Sequence, residues 1–498
     1  MIKSNGGIIG PDNVTTGGAF GTASGVFKLS EVTNLIKESK WPTEGPPTTV
    51  ANSVRFNRGS SDNLTLSGSS GGSTTKFTRS FWLKKSTLTV QQYLMDNSGT
   101  TQIFFKLNAN DTVTLGIFNS GAYSTELVGN ANLMRDPSAW YHIVIAVDYT
   151  NATQAYRARI YINNSEVTSF STETRPNNTS TTFNTFNSSK THYISGTSGG
   201  SHMFGGYLAE VVHIDGQQLA PTSFGEFNED SGVWQPLESV ADLTFGTNGF
   251  YLDFQDSSAL GNDVSGNNND YTANNLAAID QSTDTCTNNF ATINPLVKAA
   301  SAIPLSEGNT VATFPSGWIG LPATFGMQSG KWYWEQKVLA TNGGNINMGI
   351  VNENLDWDAS DTMVATTGAF YYFCSGRKII NNSATEGFFA SYTTNDIISI
   401  ALDLDASTPT IIFYKNGTAT PNSTPLELPA NLNSSLFTFP YFIGNSSSAA
   451  ANWSANFGNP SFSISSGNTD GNGYGNFEYA VPSGYLALCT KNLSEVLS

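Results

Sequence analysis

Between Asn395 and Gly417 the chain reads NDIISIALDLDASTPTIIFYKNG. Ile398, Ile400, Leu402 and Leu404 share one face of an extended chain, while Ser399 and Asp403 fall on the other, which is the period of two of a half-buried strand. Asp405–Pro409 is a polar turn, Thr410–Tyr414 a second apolar run, and Asn416-Gly417 closes it with a hairpin signal. An earlier stretch repeats the layout: Trp140–Tyr149 alternates, polar Thr150–Gln154 follows, and Arg157–Ile162 runs into Asn163-Asn164. In each copy a strand ends near an Asp, turns, and returns through an aromatic to an Asn. A chain with two such hairpins is expected to form two β-sandwiches, each built around one of them.

The 498 residues are too many for one core, so two or three domains are expected. Only 12% of residues are charged, with Gly, Ser, Thr and Asn abundant and aromatics also at 12%, a balance that suits compact all-β domains with long polar loops. A net charge of −16 without a cluster of Lys and Arg argues against nucleic-acid binding. No apolar run reaches the roughly 18–20 residues of a membrane helix. The start, MIKSNGGIIGPDN, lacks the apolar core of a signal peptide, so synthesis in a cytoplasm without general secretory export is expected. Cys286, Cys374 and Cys489 are too few and too scattered for a disulfide framework and read as free thiols.

Residues 1–50 read as an N-terminal docking arm and linker, mostly irregular with one helix. Val26–Lys40 holds the best helix signal in the chain: Ser30 can cap, Glu31 sits in the first turn, and Val32, Leu35 and Ile36 form a short apolar stripe. Trp41-Pro42 ends it, and Pro42, Pro46 and Pro47 stiffen the stretch that leads into the first domain. A helix this short is marginal alone, so Val26, Phe27, Leu29, Val32, Leu35, Ile36 and Trp41 are candidates for docking on a larger assembly or on sister chains, against the plainer alternative of packing on their own domain.

Residues 51–236 carry many short alternating runs separated by turn signals, as a sandwich does. Ser53–Phe56, Phe77–Leu83, Trp140–Ile143, Ile160–Asn163 and Gly206–Val211 occur in an order that resembles the laminin-G/concanavalin A-like lectin–glucanase superfamily. Residues 237–295 form an Asp/Asn/Gly-rich junction. Asp256–Tyr271 (DSSALGNDVSGNNNDY) could bind calcium through Asp256, Asp263 and Asp270, since that ion takes several oxygen ligands. It lacks EF-hand spacing, and a solvated linker is the default reading. The junction, with its Thr-Asn-Asn-Phe stretch at Thr287–Phe290, resembles segments of tailed-bacteriophage virion proteins. Residues 296–498 include Gly330–Glu335, Met348–Ile350, Ile397–Asp403 with Phe413–Gly417, and Ala455–Gly458, which together resemble a SPRY (B30.2-type) domain. The two resemblances imply an all-β fold with two concanavalin A-like (jelly-roll) sandwiches in tandem.

The superfamily includes sugar hydrolases, which need two carboxylates about 5–5.5 Å apart in retaining enzymes. Neither Glu-x-Asp-x-x-x-Glu nor its bulged form is present. Glu210 and Asp215 are five apart and point to opposite faces of a regular strand, and His213 between them reads as a strand-edge residue rather than a general base. Asp356, Asp358 and Asp361 form the densest acidic loop, a second calcium or sugar candidate beside the default of a solvated loop. Trp332, Trp334 and Phe81 read as core. Asn- and Tyr-rich loops at Asn342–Asn345 and Gly471–Tyr479 could hold sugars by stacking and hydrogen bonds. No catalytic residue and no cofactor is expected, with calcium the one ion considered.

The expected function is that of a structural component of a phage particle, a tail fibre or appendage in the virion. It would dock on other virion proteins by its arm, assemble as a homotrimer by analogy with fibres, and present lectin-like domains to host surface polysaccharide. The alternatives are a head decoration or head-fibre protein, a polysaccharide-degrading glycoside hydrolase, and a cytoplasmic SPRY adaptor that binds peptides.

Overall fold

The two asparagine-ended hairpins form as their alternation predicts, and they form alike. The computed structural model describes residues 50–496 except 69–70, 98–100, 120, 131–133, 184–189, 229–231, 298–302, 316, 355–366, 433–435 and 446–450, together with Gly7–Ile9 and Val26–Lys28. Trp140–Asp148 pairs antiparallel with Ala158–Ile162 on one side and Lys76–Lys85 on the other. Ile397–Asp403 pairs in the same way with Thr410–Lys415 and Lys331–Ala340. Each hairpin then turns tightly through two left-handed residues, Asn163 (φ 47°) and Asn164 (φ 64°) in one case and Asn416 (φ 48°) and Gly417 (φ 77°) in the other, which is the turn that matches strand twist and favours Asn and Gly.

The asparagine side chains have a second task. Asn163 Oδ1 accepts the N–H of His142 at 2.7 Å, and Asn416 Oδ1 accepts the N–H of Ile397 at 2.8 Å. At the far end the terminal Asp of each strand meets the Lys that opens its neighbour: Lys76–Asp148 at 3.1 Å and Lys331–Asp403 at 2.8 Å. With the lysines partly exposed, each pair contributes about 0.2–1 kcal/mol at most. Their value is in register, since a slip of one residue would turn every core side chain outward.

The first sandwich packs two sheets. One runs Ser165–Glu166, Ala158–Ile162, Trp140–Asp148, Lys76–Lys85, Gly206–Asp215, Ser53–Phe56, Gln281–Ser282, with Phe250–Leu252 also on Gly206–Asp215. The other runs Phe170–Thr174, Ala122–Gly129, Val113–Asn119, Thr101–Leu107, Gln92–Asp96, Thr191–Ile194, Asn63–Ser67, Thr272–Asn274. Phe81, Leu83, Ile143 and Ile145 meet Ile103, Phe105, Leu115 and Leu127 between them. In the second sandwich Trp332, Trp334, Ile398, Ile400 and Leu402 meet Met348, Ile350, Phe370 and Phe442. Three strands of residues 237–295, namely Phe250–Leu252, Thr272–Asn274 and Gln281–Ser282, are thus part of the first sandwich's sheets. The helix Thr490–Val496 near the C-terminus had no counterpart in the sequence reading.

Residues 50–498 form one compact unit, and buried cations join its two sandwiches. The Lys84 ammonium is enclosed and donates to Asp284 Oδ2 (2.7 Å), Asn289 Oδ1 (2.6 Å) and the Phe290 carbonyl (3.0 Å). Asp284 is equally buried and also accepts Trp140 Nε1 at 3.0 Å. Arg55, fully buried, donates from Nε to Glu307 (3.2 Å), from Nη1 to the Pro460 carbonyl (3.1 Å) and from Nη2 to the Ile279 carbonyl (2.8 Å). Tyr207 donates to the Gly308 carbonyl at 3.1 Å. Both cations stand on strands of the first sandwich; the partners of Lys84 lie on the segment between, and those of Arg55 on that segment and in the second sandwich.

The arm is a separate unit, Met1–Thr49. Within it Gly7–Ile9 pairs antiparallel with Val26–Lys28. Val26 and Phe27 therefore lie in a strand, a correction to their assignment to a helix-bearing stretch. A β-branched and an aromatic residue upstream of the Ser30 cap are strand formers. Leu29, Val32, Leu35, Ile36 and Trp41, and with them the expected helix, lie outside the described residues.

Removing one partner of a buried ion pair leaves the other charge uncompensated. Asp284→Ala is therefore expected to lower the unfolding free energy by about 3–5 kcal/mol, read from the denaturant midpoint. A change within ~1 kcal/mol would show that the cluster does not hold the join.

Candidate functional site

The acidic junction loop uses its carboxylates on itself. Asp263 Oδ1 accepts the N–H groups of Tyr251 and Ser265, both at 2.9 Å, and its Oδ2 accepts that of Asn269 at 2.9 Å. Asp270 Oδ1 accepts the N–H of Asp263 at 2.8 Å. Asp256 Oδ1 takes the hydroxyl (2.6 Å) and the N–H (2.9 Å) of Ser258, which hold its carboxyl below the usual range. These are turn caps, and they do not bring the three carboxylates to one point. Among the described residues no three His, Cys, Asp or Glu side chains are grouped to hold a metal. Asp356, Asp358 and Asp361 lie outside the described residues.

What the loop does build is an open cleft of about 420 Å³ between Ser257–Asn262 and Asp270–Ala278. Leu260, Tyr271 and Leu276 form its apolar side, with Ser257, Ser258, Asn262 and an exposed Asp270 offering polar groups. Such a lining suits a small uncharged polyhydroxyl group. The ring of Tyr271 is buried, so hydrogen bonding, not stacking, is what the cleft offers. Leu260, Tyr271 and Leu276 escaped the sequence reading. Their signal was three large apolar residues spaced through an otherwise polar stretch.

Glu210, His213 and Asp215 do not converge. Glu210 sits at φ 51° in a β-bulge between Ala209 and Val212, a backbone state that costs a residue with a Cβ. The bulge turns its carboxyl outward, where Tyr251 donates to Oε2 at 2.5 Å. Burial, with Asp253 nearby, pushes it up to about 7 against that hydrogen bond. Asp215 accepts the N–H groups of Ser73 (2.7 Å) and Asn248 (3.0 Å). His213 is not at a strand edge. Its strand is paired on both sides, and its ring lies fully buried 5.8 Å from Phe77 and 5.5 Å from Phe250. Burial, with Arg79 and His192 adding like charge, drives its pKa well down, so it is a neutral core residue.

A serine–histidine contact on the same sheet has the wrong proton arrangement for catalysis. Ser80 Oγ lies 2.7 Å from His142 Nε2, and Trp234 Nε1 donates to His142 Nδ1 at 2.9 Å. Nδ1 is thereby the acceptor, so Nε2 carries the proton and donates to the serine; it cannot take the serine's proton. The imidazole is stacked on Trp82 (4.7 Å) and Trp234 (5.9 Å), and burial lowers its pKa to about 3.

In the second sandwich, Asn342–Asn345 occupies the turn between the Lys331–Ala340 and Asn345–Asn352 strands. Gly471–Tyr479 is folded down on the Lys331–Ala340 sheet. Buried Glu335 holds it there by accepting the N–H groups of Glu478 (3.0 Å) and Tyr479 (2.9 Å). Phe477 packs edge-on to Tyr333, their ring centres 5.2 Å apart. Trp332, Trp334 and Phe81 are core, as expected.

Comparison with known families gives the class. Residues 58–216 match the Laminin_G_3 model, described as the concanavalin A-like lectin/glucanases superfamily, and residues 331–450 match the SPRY domain model. The chain carries a concanavalin A-like domain followed by a SPRY domain, folds of the binding type that suggest a binding or adhesion role. No curated protein matches the chain. Among solved structures, the SPRY domain of human HERC1 is similar at 22% identity over 33% of this chain and 96% of that chain, with a TM-score of 0.26. A second human SPRY domain gives 17%, 31%, 94% and 0.24. The native heptameric SAP-like pentraxin of Limulus polyphemus gives 13%, 34%, 79% and 0.25. Among the described residues no helix is long and apolar enough to cross a membrane.

The raised Glu210 carboxyl has a consequence for stability. Its folded pKa of about 7 lies above the ordinary 4.5, so its contribution is full below pH 4.5 and is lost as pH rises through 7. Glu210→Gln removes this dependence. The urea-midpoint difference between variant and wild type is expected to move in favour of the variant as pH rises from 4.5 to 7. A constant difference would contradict the assignment.

Proposed function

We propose that this chain is a structural component of a phage particle, a tail fibre or appendage, that attaches by its arm to other virion proteins and presents its two binding domains to host surface polysaccharide. The observation that carries the reading is the pairing of a lectin-like and a SPRY domain whose carboxylates cap turns and bridge sandwiches, beside an open cleft with hydroxyl-binding chemistry. The resemblance of the junction to tailed-phage virion segments supports the particle assignment. Assembly as a homotrimer, synthesis in the host cytoplasm and residence in the virion follow from the same reading, as does a role free of catalysis and of a required cofactor.

Purified chain is expected to be retained on host envelope polysaccharide without releasing reducing sugar. Release of reducing sugar that Glu210→Gln abolishes would overturn the non-catalytic part of the reading. Mass spectrometry of purified particles is expected to find a few copies per particle. Hundreds of copies would move the protein to the head, and absence would contradict the particle role.

A further inference from the structure

The solvent side of the Thr101–Leu107 sheet carries groups that neither the core nor the cleft uses. Ile103, Phe105 and Leu107 face the core, so Gln102, Phe104 and Lys106 face away from it. Strand register extends this outer row. Asp96, Phe104, Gly116 and Glu126 are successive cross-strand partners, Tyr93 stands opposite Lys106, and Phe118 opposite Tyr123.

Four aromatic rings pack together there, with Phe104 buried beneath Tyr93 and Tyr123. Centroids lie 5.5 Å apart for Tyr93–Phe104, 6.3 Å for Phe104–Tyr123 and 5.1 Å for Phe118–Tyr123. Phe104 can lie flat because residue 116 has no side chain; a Cβ there would come within 2.2 Å of the ring. Tyr123 is 40% exposed, and Tyr93 and Phe118 are partly so. The outer face of the companion sheet, by contrast, is covered by Phe224, Val240 and Phe245 packed on Val212 and Ile214.

Lys106 is the cation that lies over these rings among the described residues. Lys106 Nζ is 5.6 Å from the Tyr93 ring centre and 5.4 Å from that of Phe104. It makes no ion pair among the described residues, and Glu126 acts on it only through its charge at longer range. In a chain of net charge −16, an ammonium without a salt-bridge partner beside exposed rings is complementary to an anion with an apolar face. A sugar acid has both features: C–H faces that stack on aromatic rings and a carboxylate for the ammonium.

We infer that this face, Tyr93, Lys106, Phe118 and Tyr123 above all, is a binding surface for an acidic polysaccharide, with these three rings stacking the sugars over a buried Phe104 and Lys106 pairing with a carboxylate. The inference rests on the adhesion reading and names its site and ligand class. The face holds rather than cuts. Asp96 and Glu126 stand three strand spacings apart, roughly 14 Å, well beyond the ~5–9.5 Å between the carboxylates of a glycoside hydrolase. Asp96 is in any case buried and engaged by Gln102 Nε2 at 2.6 Å.

The test measures binding of the full chain to polygalacturonate and to neutral dextran by titration calorimetry, with host envelope polysaccharide as a third probe. Polygalacturonate is expected to bind, more weakly as salt rises, and dextran not to. Lys106→Gln and Tyr123→Ala are each expected to weaken polygalacturonate and host polysaccharide roughly tenfold, the loss of about one charge-assisted contact. Gly116→Val, which displaces Phe104 and leaves every charge in place, is expected to do the same. Thermal melting of each variant confirms that it is folded. Host polysaccharide bound equally by wild type and by folded variants would overturn this face while leaving adhesion standing. Dextran bound as tightly as polygalacturonate would overturn the acidic class. Wild type failing to bind all three would overturn the face and the adhesion reading together.

Discussion

An ammonium shut away from water must find oxygens or its burial undoes the fold. Lys84 lies on the central strand of the first sandwich with its head group enclosed, and its oxygens come from Asp284, Asn289 and Phe290. Those residues sit on the segment that leads into the second sandwich. Arg55 repeats the arrangement, reaching Ile279, Glu307 and Pro460. Desolvating two cations costs several kcal/mol apiece unless each is fully paired, so the connecting segment cannot drift away from either sandwich. The two domains are held as one body by this requirement rather than strung on a linker.

Most of the strand pattern could be read from the residues because its cause is local. Period-two alternation placed Ile398, Ile400 and Leu402 in the core, and Asn163-Asn164 and Asn416-Gly417 marked the turns that only left-handed residues make well. What stayed hidden depends on partners distant in sequence. Nothing local distinguishes Lys84, buried, from Lys76, partly exposed. The bulge at Glu210 needs an extra residue against Phe81, which one strand alone does not reveal. The Asp-rich loop offered oxygen ligands for calcium beside the default of a solvated linker, and turn capping requires the same residue types. Val26 and Phe27 were drawn into a helix-bearing stretch by the apolar stripe C-terminal to them, although both favour strand.

The candidate site shows the same division. The cleft's polar groups were visible as composition, but the apolar wall of Leu260, Tyr271 and Leu276 was not. The aromatic face was legible in principle, since Gln102, Phe104 and Lys106 alternate with core residues. Only the register that lays Phe104 over Gly116 and beside Tyr123 turns that alternation into a surface. The ionisable groups that look most like machinery are held still by the fold: His142 between two tryptophans, Glu335 under the segment it fastens, Asp215 on two backbone N–H groups. A compact body whose reactive-looking groups are committed inward, and which leaves Tyr93, Lys106, Phe118 and Tyr123 at least partly exposed on one sheet face, is suited to holding a ligand.

The most direct measurement is differential scanning calorimetry of the chain. Both sandwiches are expected to melt in one transition, with calorimetric and van't Hoff enthalpies equal, because they cannot separate without stripping buried Arg55 of Glu307 and Pro460. Two resolved transitions, one for each sandwich, would contradict it.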